Sequence, residues 1–151
     1  MKIPVKFLKD ELHVHASFNA QGYHGKVQLI DFVVDTGTSI SMISYGDAVR
    51  MNLPISNLHS REPSAIAGFE IDVRILKDVR LGFITAEGGF KRFDLNEFFV
   101  MTPLVKKPLD LEKAKQIPSL LGLDFLRSNN LSFFCNPGKE LAYFDDSGTG
   151  K

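Results

Sequence analysis

An apolar run, Phe32-Val33-Val34, stops at Asp35-Thr36-Gly37-Thr38-Ser39 and resumes as Ile40-Ser41-Met42-Ile43. That order sets one carboxylate on a tight turn between two strands whose side chains seek a core. Burying a lone ionised Asp is costly unless hydrogen bonds or a charge partner compensate. Gly37 lets the backbone turn sharply, so that its N–H groups can point at the carboxylate. A carboxylate held this way is equipped for proton transfer. The bland account is a turn Asp capping its own backbone at a strand end. Thr38 follows the glycine, and its hydroxyl is expected to donate to the carboxylate and favour the charged form.

Other residue types that could do chemistry are less well placed. His13 and His15 share one face of an expected strand, with His24 near in sequence, and two solvated histidines account for them better than a metal site does. Cys135 sits in an apolar run beside a turn with no adjacent His, as a small packing residue does. Ser147-Gly148-Thr149-Gly150-Lys151 imitates part of a phosphate loop, but no strand sets it and no helix follows it.

The elements that must position Asp35 follow from periodicity. Leu12, Val14, Ala16 and Phe18 alternate with polar residues, the period of a half-buried strand, and residues 3–8 offer it a partner. Asn19 to Gly25 carry turn chemistry before the run from Lys26 to Val34. Residues 44–63, with Gly46, Pro54 and Pro63, read as a short helix or irregular connection. Ile71, Val73, Ile75, Val79, Leu81 and Phe83 share one parity, interrupted at Lys77, with Asp72, Arg74, Asp78 and Arg80 on the other, so one face is expected dry and one wet. Gly88 and Gly89 turn this strand into a Phe-rich partner, residues 90–101. Thr102 to Ser119 reads as a surface insertion holding at most a short helix around Asp110 to Gln116. A short strand, a helix from Leu123 to Ser128 and a hairpin around Asn136, Pro137 and Gly138 complete the domain, residues 1–144. Residues 145–151 read as a disordered tail. Many short strands with one or two short helices make an all-β domain, barrel-like or sandwich.

Composition narrows the function classes. A domain of 151 residues buries about 70% of its unfolded surface, enough for a core without staples. Thirteen Phe and no Trp read as core packing, with Phe69 or Phe83 available to line a cleft. The net charge is zero and no basic block is long enough to follow a phosphate backbone, which argues against nucleic acid. Nothing in the sequence calls for a bilayer. A single cysteine cannot close an internal disulfide and residues 1–18 lack the apolar core of a secretory signal, so the expected setting is reducing and cytoplasmic.

Two motifs together resemble the retropepsin family of aspartic proteases. Asp35-Thr36-Gly37 follows an apolar run, and Leu120-Leu121-Gly122 stands downstream with an amphipathic Leu123–Ser128 segment after it. The likeness spans roughly residues 12–144. It implies a retropepsin-like acid protease barrel with a homodimeric active site, in which Asp35 is catalytic and Thr36, Gly37, Thr38 and Ser39 form its loop. Thr36 would bond across the dimer, and a flap with Ala67, Gly68 and Phe69 near its tip would cover the cleft. Retroviral members carry an acidic residue and an Arg where this chain has Ser39 and Leu123, which points to a cellular or prokaryotic type.

The implied mechanism is peptide-bond hydrolysis by a water activated between two Asp35 carboxylates, with no metal or cofactor. The partners would be a second copy of the chain and an extended peptide or protein substrate. A catalytically silent dimerisation or peptide-binding module of the same fold is the alternative. Actin-like and sugar-kinase ATPases also use Asp-x-Gly-Thr after a strand, to hold phosphate, but that fold needs far more chain and a second phosphate loop.

Overall fold

The computed structural model describes residues 1–20, 27–66, 69–104 and 108–147. Among the described residues ten strands form: β1 (Lys2–Leu8), β2 (Glu11–Ala20), β3 (Gln28–Val34), β4 (Met42–Ile43), β5 (His59–Ile66), β6 (Phe69–Ile84), β7 (Phe90–Pro103), β8 (Ser119–Leu121), β9 (Ser132–Asn136) and β10 (Leu141–Asp145). Three short α-helices join them among the described residues, against the one or two expected: α1 (Tyr45–Arg50), α2 (Pro108–Gln116) and α3 (Leu123–Ser128).

The alternation in β2 buries Val14, Ala16, Phe18 and Ala20 as its period requires. β2 pairs antiparallel with β1 and β3, and its last residues also pair with β6 from Ser17↔Gly82 to Ala20↔Val79. That second pairing closes the order β6-β7-β4-β8-β3-β2 into a six-stranded barrel. β1 leaves the barrel midway: Lys6 to Leu8 pair with β2, whereas Lys2 to Val5 pair with β10, which in turn pairs with β9. A three-stranded outer sheet, β1-β10-β9, is thereby attached to the barrel.

The long hairpin of β6 and β7 departs from a simple wet and dry face. Its turn follows the glycines: Thr85 N–H bonds Gly89 C=O at 2.9 Å, and Gly88 sits at φ 83°. Ile71 and Val73 pack in a small apolar cluster with Met42 and Met101. Leu76, Val79, Leu81 and Phe83 all pack in the main core. The face that meets the main core therefore changes parity at Lys77 and Asp78, where Asp78 adopts φ 53°, a conformation that re-aims a strand. In consequence Ile75 is only partly buried, and Asp72, expected on the wet face, is buried.

Rings meeting at edges and tilts fill the main core. Phe125 of α3 lies 5.7 Å from Phe83, 5.3 Å from Phe93 and 6.4 Å from Phe144 between centroids. Such pairs add to area burial through their quadrupoles. The segment expected as a surface insertion with a short helix carries α2 and is docked on α1. α2 buries Ala114, and a Cβ on Gly46 of α1 would stand 2.9 Å from the Lys115 carbonyl oxygen, so the two helices touch backbone to backbone. Asp145 ends β10, and its carboxylate accepts from the Ser147 N–H at 3.0 Å and hydroxyl at 2.7 Å. The expected tail thus begins inside the last strand, and residues 148–151 lie outside the described residues. No helix among the described residues is long and apolar enough to cross a membrane.

Candidate active site

Asp35 is the first residue beyond β3. Parallel pairing of β3 with β8, Val34↔Leu121 at its end, is extended by the Asp35 N–H bonding the Leu121 carbonyl at 3.1 Å. The chain then turns, Thr38 N–H to Asp35 C=O at 3.2 Å, and returns as β4, which pairs antiparallel with β8 at Met42↔Leu120. The middle strand holding the loop is the second motif itself, so Leu120 and Leu121 brace both sides of the turn that carries the carboxylate.

Gly122 completes the seat. A Cβ there would lie 2.8 Å from the Thr38 carbonyl oxygen and 2.9 Å from Thr38 Cγ2, contacts that real side chains do not make. The next N–H, of Leu123, bonds that same Thr38 oxygen at 3.0 Å. The two motifs, far apart in sequence, are thus in direct backbone contact.

Within the loop the Gly37 N–H donates to Asp35 Oδ1 at 2.9 Å, as the turn chemistry predicts. Oδ2 has no hydrogen-bond partner among the described residues. Asp35 is half-buried, while Thr36, Gly37 and Ser39 are exposed. The Thr38 hydroxyl does not serve the carboxylate: it donates to the Ile40 carbonyl at 3.3 Å and accepts from the Ile40 N–H at 3.4 Å. A hydroxyl that closes its own two-residue turn has no free proton for Asp35. The expected tuning group is therefore a structural one.

Beneath the loop lies a polar network that the motifs do not announce. Ser41, fully buried, donates its hydroxyl to Asp124 Oδ1 at 2.5 Å and accepts from the Gly122 N–H at 2.8 Å. The Ser41 N–H reaches both Asp124 oxygens at 2.9 Å, and Asp124 also takes the Phe125 N–H at 2.8 Å. A second link joins Ser44, Ser119 and Asp47. Ser119 accepts from the Ser44 N–H at 2.9 Å and donates to Asp47 Oδ2 at 2.6 Å, while Ser44 caps α1 by accepting the Asp47 N–H at 3.1 Å. The sequence signal for both was present: Ser41 and Ser44 interrupt an apolar run, and buried hydroxyls must find partners.

The hairpin expected as the flap is β5 and β6, paired up to Ile66↔Phe69. Ala67 and Gly68, and the side chain of Phe69, lie outside the described residues. Its base is tied by Asp72, which accepts from the Ser60 hydroxyl and from Arg74 Nε at 2.5 Å, while Arg74 Nη1 donates to the Leu58 carbonyl at 2.8 Å. A cavity of about 440 Å³ beside this base is lined by residues including Tyr45, Leu53, Arg74 and Leu111, without the Asp35 loop.

His13 and His15 face solvent-side carboxylates. His13 Nδ1 lies 2.9 Å from Asp31 and its Nε2 3.0 Å from Glu11. No group of three or more His, Cys, Asp or Glu side chains among the described residues is arranged to hold a metal ion. Cys135 is exposed on β9 rather than packed in the core, because the strand that carries it is an outermost one.

No protein-family model matches the chain, and no curated protein does. Among solved structures it is similar to a retropepsin-like aspartic protease from Rickettsia conorii, at 18% identity over 95% of this chain and 89% of that one, with a TM-score of 0.58. The retroviral protease-like domain of Ddi1 from Leishmania major is matched at 15% identity over 80% of this chain and 79% of that one, with a TM-score of 0.44. The fold of this chain is retropepsin-like.

Proposed function

We propose that this chain, with its retropepsin-like fold, is one protomer of an aspartic endopeptidase whose dyad is Asp35 and the Asp35 of a second copy. The observation that carries the reading is the Asp35 loop: an exposed turn, braced on both sides by β8, that presents one carboxylate oxygen with no hydrogen-bond partner among the described residues. The exposed Thr36 beside it likewise has no hydrogen bond within the chain among the described residues. A rigid, outward-facing acid with unspent hydrogen-bonding capacity is suited to meeting its own symmetry mate.

Two facing carboxylates about 3 Å apart cannot both ionise, and so they share one proton. The ionised member takes a proton from a water as it attacks the scissile carbonyl. The protonated member supports the developing oxyanion and then helps protonate the leaving nitrogen. The substrate lies extended between the loops and the β5–β6 hairpins. Each step uses only the chain's own groups, water and the peptide.

The test is cleavage of a denatured protein and a peptide library from about pH 4 to pH 7.5, read by mass spectrometry. Asp35→Asn is expected to lower the rate by about 10²–10⁴-fold or more while leaving the dimer intact. The rate should rise more than linearly with protein concentration near the dimer dissociation constant. No cleavage at any pH by a demonstrated dimer would favour the silent binding module instead.

A further inference from the structure

We infer that the cavity of about 440 Å³ at the base of the β5–β6 hairpin is a binding site for a small monocarboxylate with an apolar body. The site lies apart from the Asp35 loop, and the inference holds whether or not the chain cleaves peptides.

Stretches distant in sequence converge on this cavity. Tyr45 opens α1, Leu53 and Ile55 follow that helix, Arg74 comes from β6, Leu104 from just beyond β7 and Leu111 from α2. A volume of this size lies in the range of small-molecule sites, which set a few polar groups in a mostly apolar wall. The wall is present: Leu53 and Ile55 pack only in part against the main core, and Leu104 is exposed, so apolar surface is left for an occupant.

The polar groups have unspent donors. Arg74 directs Nε to Asp72 at 2.5 Å and Nη1 to the Leu58 carbonyl at 2.8 Å, while its Nη2 has no hydrogen-bond partner among the described residues. The Tyr45 hydroxyl has none there either. Neither group is sealed from water, because both residues are partly buried and no side-chain N or O among the described residues is at once buried and unpartnered. The acid beside them is already spent. Asp72, 7% exposed, uses one carboxylate oxygen on the Ser60 hydroxyl and the other on Arg74, and its carbonyl accepts from the Thr102 hydroxyl at 3.3 Å.

That balance selects the ligand. Donors without acceptors call for acceptor oxygens, and a bond between guanidinium and carboxylate is about twice as strong as one between neutral groups. A cation would find the Asp72 carboxylate already paired. A dianion such as a phosphate monoester would set two charges against the buried Asp72 with one arginine to hold them, and uncompensated charge next to a buried carboxylate is costly. A single carboxylate is what one arginine supports, and the leucines take the rest of the molecule.

The experiment titrates hexanoate, hexanamide and hexylammonium into the isotope-labelled full chain and follows amide shifts by NMR. Hexanoate should saturate as a single site, with shifts centred on Tyr45, Ser56, Arg74, Leu104 and Leu111. Hexanamide should bind about tenfold more weakly, and hexylammonium should not saturate. Tyr45→Phe keeps the ring, removes the hydroxyl and should weaken hexanoate about tenfold. Leu111→Trp fills the cavity and should abolish binding while thermal unfolding stays cooperative; should that variant fail to fold, Tyr45→Phe still decides. Asp35→Asn should bind as the parent does. Hexanamide binding as tightly as hexanoate overturns the carboxylate assignment. Shifts centred elsewhere, affinity unchanged in Tyr45→Phe, or no saturation by hexanoate in the folded chain overturns the site.

Discussion

Asp35 was legible because its surroundings are local: an apolar strand, a carboxylate and a glycine within three residues dictate the turn, and the Gly37 N–H bond follows. Asp124 was not, because its partner Ser41 is 83 residues away and no spacing rule connects them. Yet Asp124 collects the Ser41 N–H and hydroxyl and the Phe125 N–H, and Ser41 in turn holds Gly122. It occupies the position next to Leu123, where retroviral members of the resembling family keep an Arg. A carboxylate–serine contact here links the same two chain segments that an ion pair joins there. Asp124→Ala leaves the buried Ser41 N–H without its acceptor, which costs about 1–3 kcal/mol. Urea unfolding should show that loss, with cleavage falling further than stability alone explains, since the Gly122 seat of the Asp35 loop loosens.

At the scale of elements, α3 was placed from its amphipathic pattern after a glycine, but its role as the pivot of the ring cluster depends on partners from β6, β7 and β10 that periodicity cannot pair. Phe125→Ala removes a ring in contact with three others and is expected to cost about 3–5 kcal/mol, measured as a lowered urea midpoint. The β6–β7 hairpin was legible as a hairpin, while its change of face at Asp78 was not, since no local pattern in the sequence calls for the positive φ there.

The same hairpin carries an acid-sensitive pair. Arg80 Nε donates to Asp94 at 2.6 Å across the register pair Arg80↔Asp94, and this bond first, aided by the Arg80 and Arg92 charges, holds the Asp94 carboxyl below its ordinary 3.8. A depressed carboxylate stabilises the fold above its unfolded value and loses that contribution as pH falls through the folded one. Asp94 is well exposed and Arg80 partly so, and salt therefore screens the effect. Asp94→Asn should therefore be less stable than the parent at pH 6 in low salt, with the gap closing as the pH falls below 3.8 and in high salt.

For the whole molecule, the local hairpins and the two strands around Asp35 followed from pattern, whereas barrel closure did not. The β2–β6 pairing joins residues such as Ser17 and Gly82, and its only trace in sequence is Gly82, where a Cβ would fall 2.1 Å from the Phe90 ring and 2.4 Å from the Ser17 hydroxyl. A barrel so closed has a complete core within one copy, so in the proposed dimer a second copy would add stability rather than create the fold. Folding and association are then linked by mass action. If two copies unfold together, a tenfold rise in concentration adds about 1.4 kcal/mol per dimer. Spread over the unfolding entropy of some 300 residues, that raises the melting temperature by about 2 °C. Differential scanning calorimetry over a hundredfold concentration range should show about twice that shift. Asp35→Asn should retain it, because on the proposed reading the carboxylate does chemistry and not assembly. A flat response in the unaltered chain would mean that association contributes nothing to its stability, and the dimeric site would lose its physical basis.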